Sequence, residues 1–271
     1  MTREELVERC VELLLDDMPE YRDQAAVFPR GDVLARRRLL RSIMNVRVPG
    51  RPLPDAYWAA QDALLSAERA ERGVVDVADL PPTAADRRLV VWQGDITRLA
   101  ADTVVNAANS ALLGCFVPCH GCIDNAIHSA AGLRLRDECA ALMRAQGHEE
   151  PAGHAKITRG YNLPAAHVIH TVGPIVRGPE PTARDRADLA SCYRSCLELA
   201  DSRGLRTIAF CCISTGEFRF PRREAARVAV REVRAFLHER AGATSVSRVV
   251  FDVFADEDLA IYRELLGKDE R

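Results

Sequence analysis

The sequence shows no excess of charge of either sign, since 37 lysines and arginines face 39 aspartates and glutamates among 271 residues. Binding of DNA or RNA through phosphate neutralisation needs a basic surface, so we expect no nucleic-acid partner. No apolar run is long enough to cross a bilayer, which argues against a membrane protein. Aromatic residues are few, at 6%, but 48% of the chain is hydrophobic, and this excludes a wholly disordered chain.

The N-terminus, MTREE, also lacks the basic and apolar regions of a signal peptide, and we expect a cytoplasmic protein. A reducing compartment disfavours disulfide bonds, and the nine cysteines are an odd number. The thiols therefore do not indicate a disulfide framework, and they need another explanation.

The chain divides into two regions whose patterns differ, with a change near residues 80–83 (LPPT). Residues 1–85 read as a helical extension, with amphipathic helices predicted over residues 4–18, 33–45 and 55–72. Their apolar faces favour packing against the rest of the chain over a lid or a docking surface for a modified protein. The three arginines at positions 36–38 are expected on a solvated helix face.

The second region, residues 86–271, alternates short β-branched runs with helical stretches, which is typical of a layered α/β domain. Strands are predicted over residues 88–92, 103–106, 155–159, 167–172, 207–212 and 248–254. Helices are predicted near residues 123–145, 183–203, 222–241 and 256–266.

A dense cluster of metal-binding side chains lies in the segment CFVPCHGC, residues 115–122. Thiolates with a neutral imidazole favour zinc over hard cations, which prefer oxygen. Cys115, His120 and Cys122 are spaced so that one loop can direct all three inward. If Cys119 also binds, the site is closed and structural. If it does not, three ligands leave a position for water or substrate, as in a catalytic zinc site, and we favour this open arrangement.

Three further motifs follow predicted strands, at the sheet edge where α/β proteins bind ligands. Asp95 in GDIT can accept a hydrogen bond from an amine such as that of adenine, or can cap a helix. Asn106 and Asn109 in VVNAANS can hold a sugar hydroxyl, or can shape a turn. The segment STGEFRFP offers backbone N–H groups to phosphate, although no Gly-Lys-Ser/Thr follows to make a Walker loop. Its two phenylalanines could wall off a ribose or a base.

Taken together, QGDIT, VVNAANS, GCIDNAIHSAAG, HTVGP and STGEFRFP resemble, in this chain order, the macrodomain family of ADP-ribose-binding proteins. The resemblance covers about residues 86–266 and implies a three-layer α/β/α fold with a mixed central sheet, preceded here by the helical extension. Cys122 stands where ordinary hydrolytic macrodomains have a second glycine. This departure is similar to the zinc-dependent branch of the family, whose zinc ligands carry over onto Cys115, His120 and Cys122.

The resemblance also implies roles for the other motif residues. Asp95 and Ile96 would recognise adenine, and Asn106 and Asn109 would lie near the distal ribose. Ile123 and Asp124 would contribute from the neighbouring loop. The diphosphate would lie against Ser214, Thr215, Gly216, Glu217 and Phe218. Arg219 stands where the family usually has glycine, and we expect it to point to solvent.

The implied activity is zinc-dependent hydrolysis of ADP-ribose from a mono-ADP-ribosylated protein, with an ester to Asp or Glu as the easiest linkage to break. Asp124 would orient or deprotonate water while Asn106 holds the ribose, unless Asp124 only caps a helix that begins at Asn125. The alternatives are a non-catalytic reader of ADP-ribose and a deacetylase of O-acetyl-ADP-ribose. His128 and His170 are expected to be structural.

Overall fold

The computed structural model describes residues 1–267, and its first 72 residues include four α-helices. These are α1 (Arg3–Asp17), α2 (Arg22–Ala26), α3 (Val33–Val46) and α4 (Asp55–Arg72). Helix α1 begins with a capping box, in which Thr2 accepts from the backbone N–H of Glu5 and Glu5 accepts from that of Thr2. At α3 the Asp32 carboxylate is a simple N-cap, which accepts from the backbone N–H of Ala35.

The helical extension encloses a hydrophobic core of its own, which includes Leu14, Leu40 and Tyr57 and also takes in Leu133 from the second region. The extension therefore packs against the rest of the chain, as its amphipathic faces predict. The prediction that positions 36–38 lie on a solvated helix face is wrong for Arg36. This residue is 5% exposed and forms a bidentate ion pair with Glu8.

The second region is built on a six-stranded sheet, with strands β2 (Leu89–Gln93), β4 (Thr103–Ala108), β5 (Ala155–Arg159), β6 (His167–Val172), β7 (Thr207–Phe210) and β8 (Arg248–Val253). Their order across the sheet is β2-β8-β7-β4-β6-β5. All neighbours are parallel except β5 and β6, so the sheet is mixed, as predicted. Two short strands that the sequence did not predict, β1 (Val75–Asp76) and β3 (Leu99–Ala100), pair in parallel beside it.

Five helices pack on this sheet and complete the predicted three-layer α/β/α fold. They are α5 (Ile123–Ala131), α6 (Leu133–Gln146), α7 (Ala183–Ser202), α8 (Arg222–Glu239) and α9 (Asp256–Gly267). The single helix predicted near residues 123–145 is wrong, because Gly132 interrupts it with φ +89° and ψ 175°. Among residues 1–267, no helix has both the length and the apolarity to cross a membrane.

Candidate active site

A cavity of about 520 Å³ opens at the carboxyl ends of the parallel strands β4, β7 and β8. Its floor includes Ala107 and Ala108 from the end of β4, and Cys211 and Cys212 from the residues after β7. This volume is typical of a pocket for a nucleotide-sized ligand, and ligand crevices in open α/β sheets form at these strand ends.

One wall of the cavity is the loop that contains the cysteine-histidine cluster. The donor atoms of Cys115, His120 and Cys122 all lie within 4.8 Å of one another, and Cys115 Sγ is 3.7 Å from His120 Nδ1. A tetrahedral zinc ion with usual bond lengths separates a sulfur and a nitrogen ligand by about 3.6 Å. The spacing and the soft donor set therefore fit zinc at these three residues.

The fourth candidate ligand, Cys119, is turned away from this group. Its Sγ lies 3.3 Å from Ser42 Oγ and 3.5 Å from the Arg38 carbonyl oxygen, both on α3. The donor set therefore has three members, which is the arrangement that leaves a position for water or substrate.

Helix α5 begins directly at the cluster, and Cys122 is its N-cap residue, with Sγ accepting from the backbone N–H of Asn125 at 3.4 Å. Burial raises the pKa of the Cys122 thiol to about 12, and the Asn125 hydrogen bond and the helix N-terminus, which favour the thiolate, offset this only in part. Because Cys122 caps this helix, the alternative in which Asp124 is the cap is wrong. The Asp124 carboxylate is free for another role.

The Asp124 side chain lines the cavity although only 5% of the residue is exposed. Its Oδ1 accepts from Asn106 Nδ2 at 2.7 Å, its Oδ2 lies 3.4 Å from Asn109 Nδ2, and His128 Nε2 is 3.5 Å from Oδ1. Burial raises the pKa of Asp124 to about 6, while the Asn106 hydrogen bond and the charge of Arg136 act in the opposite direction. The two predicted asparagines thus hold one carboxylate.

Asn106 itself is fully buried, so the structure places it behind Asp124 and not on the cavity wall. The pairing of β4 with β6 sets Asn106 opposite His170, whose Nδ1 is 3.2 Å from Asn106 Nδ2. Burial lowers the pKa of His170 to about 3, so the ring is neutral. Its Nδ1 accepts from Asn106 while its Nε2 contacts Thr158 Oγ1 at 2.9 Å.

Opposite the cysteine-histidine loop, residues 214–218 form the phosphate loop predicted from STGEF. Ser214 and Arg219 have φ values of +64° and +60°, a left-handed backbone that glycine adopts most readily, and Arg219 is exposed, as expected. Within residues 1–267, no carbonyl accepts from the N–H groups of Gly216, Glu217 and Phe218. The buried Ser214 Oγ also has no partner there. These donors suit an anionic ligand.

The phosphate loop and the cysteine-histidine loop meet at the cavity mouth, where Glu217 Oε1 lies 3.5 Å from His120 Nε2. Phe218 lines the cavity, but Phe220 is buried in the core and does not wall off a ligand. Ile123 and Thr215 also line the cavity, as do residues that the sequence did not single out: Phe116, Arg222, Asp252, Phe254 and Asp258.

The two residues predicted to recognise adenine do not line the cavity. Asp95 caps the 3₁₀ turn Ile96–Arg98 by accepting from the Thr97 backbone and hydroxyl, and Ile96 is buried. The Asp95 charge nevertheless acts on Asp252, which lines the cavity. Burial and, secondly, the Asp95 charge raise the pKa of Asp252 well above its usual range.

Known proteins are similar to this chain in sequence and in fold. The Macro domain family model matches residues 105–229. A protein-ADP-ribose hydrolase of Staphylococcus aureus (strain MRSA252) is 51% identical over 231 residues, or 85% of each chain. A protein-ADP-ribose hydrolase of Treponema medium is 45% identical over 98% of this chain and 100% of its own length.

Solved structures give the same result. The Trypanosoma brucei macrodomain in complex with ADP-ribose superimposes with a TM-score of 0.66 at 33% identity, covering 82% of this chain and 95% of its own. The Oceanobacillus iheyensis macrodomain with ADP gives a TM-score of 0.58 at 38% identity, covering 65% and 88%. From the matches in sequence, fold and motif order, we conclude that this chain belongs to the macrodomain family.

Proposed function

We propose that this chain is a zinc-dependent hydrolase that removes ADP-ribose from mono-ADP-ribosylated proteins. The observation that carries this proposal is that a single cavity is lined by the Cys115-His120-Cys122 group, by the Asp124 carboxylate and by the phosphate loop. The hydrolases and the ADP-ribose complex among its relatives support the part of the proposal that concerns ADP-ribose hydrolysis.

The phosphate loop would bind the diphosphate through the N–H groups of Gly216, Glu217 and Phe218 and through the Ser214 hydroxyl. The distal ribose would then lie toward the other end of the cavity, near Asn109 and Asp124. Zinc held by Cys115, His120 and Cys122 would act as a Lewis acid on an oxygen of the ribose or on a bound water.

Asp124 would accept a hydrogen bond from the attacking water and take its proton. Asn106 fixes the carboxylate for this role, because its amide donates to Asp124 Oδ1 and is itself held by His170. Water cleaves the bond between the distal ribose and the side chain, and the products are ADP-ribose and the free side chain. We favour an ester to Asp or Glu, since a carboxylate leaves more easily than an amine.

Single-turnover release of ADP-ribose from a protein modified on Asp or Glu tests this proposal. Chelation should abolish ADP-ribose release, and added zinc should restore it. Cys122→Ala should abolish release whether or not zinc is added. Cys119→Ala is the matched control, because that thiol is three residues away and faces α3. Unchanged release by protein shown to be zinc-free would refute the catalytic metal.

Measurements on the same zinc-loaded and zinc-free protein also distinguish the two alternative functions. Tight ADP-ribose binding in calorimetry with no release under any metal condition would identify a reader. Faster turnover of O-acetyl-ADP-ribose than of the modified protein would identify a deacetylase. A protein modified on arginine, tested side by side, measures the preference for an ester.

A further inference from the structure

The helical extension contacts the cysteine-histidine loop, residues 115–122, through one face of α3. We propose that α3 positions this loop for metal binding and that Arg41 and Asn45 are its positioning residues. This inference rests on the proposed zinc site. It assigns a task to the extension, whose contribution to the site the sequence alone did not indicate.

Asn45 holds the most constrained residue of the loop. Cys119 has a φ of +53°, a left-handed conformation that side-chain-bearing residues adopt only at a cost. Asn45 Oδ1 accepts from the Cys119 backbone N–H at 2.9 Å, and Asn45 is 1% exposed, so water does not compete for this hydrogen bond. The Asn45 amide therefore stabilises the turn that brings His120 and Cys122 back toward Cys115.

Arg41, one helical turn before Asn45, holds the next residue of the loop. Its Nη2 lies 3.4 Å from the His120 carbonyl oxygen and donates to Asn125 Oδ1 at 2.7 Å. Asn125 in turn donates from Nδ2 to the Val117 carbonyl at 3.0 Å. The backbone groups of Val117, Cys119 and His120 are thus all fixed by side chains outside the loop.

The residues that fix the loop are themselves held in place. Asn45 Nδ2 donates to Ser129 Oγ at 3.2 Å, and this hydroxyl donates to Asn125 Oδ1, so α3 and α5 share one hydrogen-bond network. Buried Arg136 of α6 donates from Nη1 to the carbonyls of Met44, Asn45 and Arg47, where α3 ends. Asn45 and the end of α3 are therefore held in place by side chains of both α5 and α6.

A metal site binds tightly when its donors are held in place before the ion arrives, and loss of an outer partner commonly lowers metal affinity by about 10- to 100-fold. Loss of Arg41 or Asn45 should act in this way. The thiols and the imidazole remain, but the loop that carries them is no longer fixed.

Cobalt(II) titration of the zinc-free full-length protein tests the inference without any activity measurement, since thiolate-cobalt absorption reports ligation directly. Arg41→Ala and Asn45→Ala should each weaken cobalt binding by about 10-fold or more. Arg37→Ala is the matched control, because Arg37 lies on the same helix but forms its bidentate ion pair with Glu68 inside the extension. Its cobalt affinity should stay within twofold of the wild-type value, and thermal unfolding should show all three variants folded.

The outcomes separate the inference from the zinc site on which it rests. Absence of cobalt absorption in the wild-type protein refutes the metal site itself. Wild-type affinity in folded Arg41→Ala and Asn45→Ala overturns the positioning role and leaves the metal site standing. An equal loss in Arg37→Ala also overturns it, because the effect would then come from general weakening of the extension. If Asn45→Ala does not fold, Arg41→Ala decides alone.

Discussion

The break between α5 and α6 makes a quantitative prediction for Gly132→Ala. Gly132 has φ +89° and ψ 175°, a region that is almost restricted to glycine and costs other residues about 1–3 kcal/mol. A Cβ atom at this position would lie 2.6 Å from Gln61 Nε2 and 2.8 Å from Gln61 Cδ on α4. Overpacking of this kind adds about 1–3 kcal/mol.

The Gln61 side chain has little freedom to move away. Its Oε1 accepts from the Leu133 backbone N–H at 2.9 Å and from Tyr57 Oη at 3.1 Å. Alanine also makes the unfolded chain less flexible, which stabilises the folded variant by about 0.4–1 kcal/mol. We therefore expect Gly132→Ala to lower the free energy of unfolding by about 1–5.5 kcal/mol.

Gly147→Ala supplies the control for the steric part of this cost. Gly147 ends α6 with φ +78° and ψ 4°, and no atom lies within 4 Å of the position of its absent Cβ. An alanine there meets only the left-handed backbone cost, about 1–2 kcal/mol before the same unfolded-state gain. Urea unfolding followed by circular dichroism measures both variants. A loss in Gly132→Ala no larger than in Gly147→Ala would refute the contact with Gln61.

Three further predictions concern the site and the extension. Asp124→Asn should lower the rate of ADP-ribose release by about 10²–10⁴-fold in rapid-quench assays. Calorimetry should show that the variant still binds ADP-ribose with an affinity within about tenfold of wild type. A release rate within about threefold of wild type would exclude a role for Asp124 as the base. Glu217→Gln removes the carboxylate beside His120 Nε2 and should weaken zinc binding about tenfold, measured by competition with a chelator. A zinc affinity equal to that of the wild type would show that Glu217 does not orient the imidazole of His120. Glu8→Gln leaves the buried Arg36 guanidinium without its ion pair and should lower the free energy of unfolding in urea by about 3 kcal/mol. A decrease below about 0.5 kcal/mol, which is typical of an exposed ion pair, would contradict this prediction.

The fold could be predicted from the sequence because its signals are local. The β-branched runs and the helical spacing identified the six sheet strands and most helices, although the strand at residues 207–212 ends at Phe210. The helix predicted near residues 123–145 failed because a glycine inside an apolar pattern lowers helix propensity only slightly. The break also depends on Gln61, a residue 71 positions before Gly132, which accepts from the Leu133 backbone N–H and fills the space that a Cβ atom at Gly132 would need.

The candidate site was predicted in part for the same reason. The metal-binding residue types lie within eight positions, so Cys115, His120 and Cys122 were identified together, while Cys119 could not be settled because its orientation depends on α3. His170 was expected to be only structural. The sequence gives no sign of its contact with Asn106, since the two residues are 64 positions apart and become neighbours only through the register of β4 and β6.

The sequence by itself determined the residue chemistry of this protein, namely soft donors in one short loop, an acid just after them, and a loop suited to phosphate. It also determined the order of the six sheet strands and most of the helices along the chain, since these depend on residue type and local spacing. The tertiary structure alone decided which groups face one another. It set Asn106 behind Asp124, joined Glu217 to His120 across the cavity, and brought α3 against the metal-binding loop, because contacts between distant residues follow from strand register and helix packing.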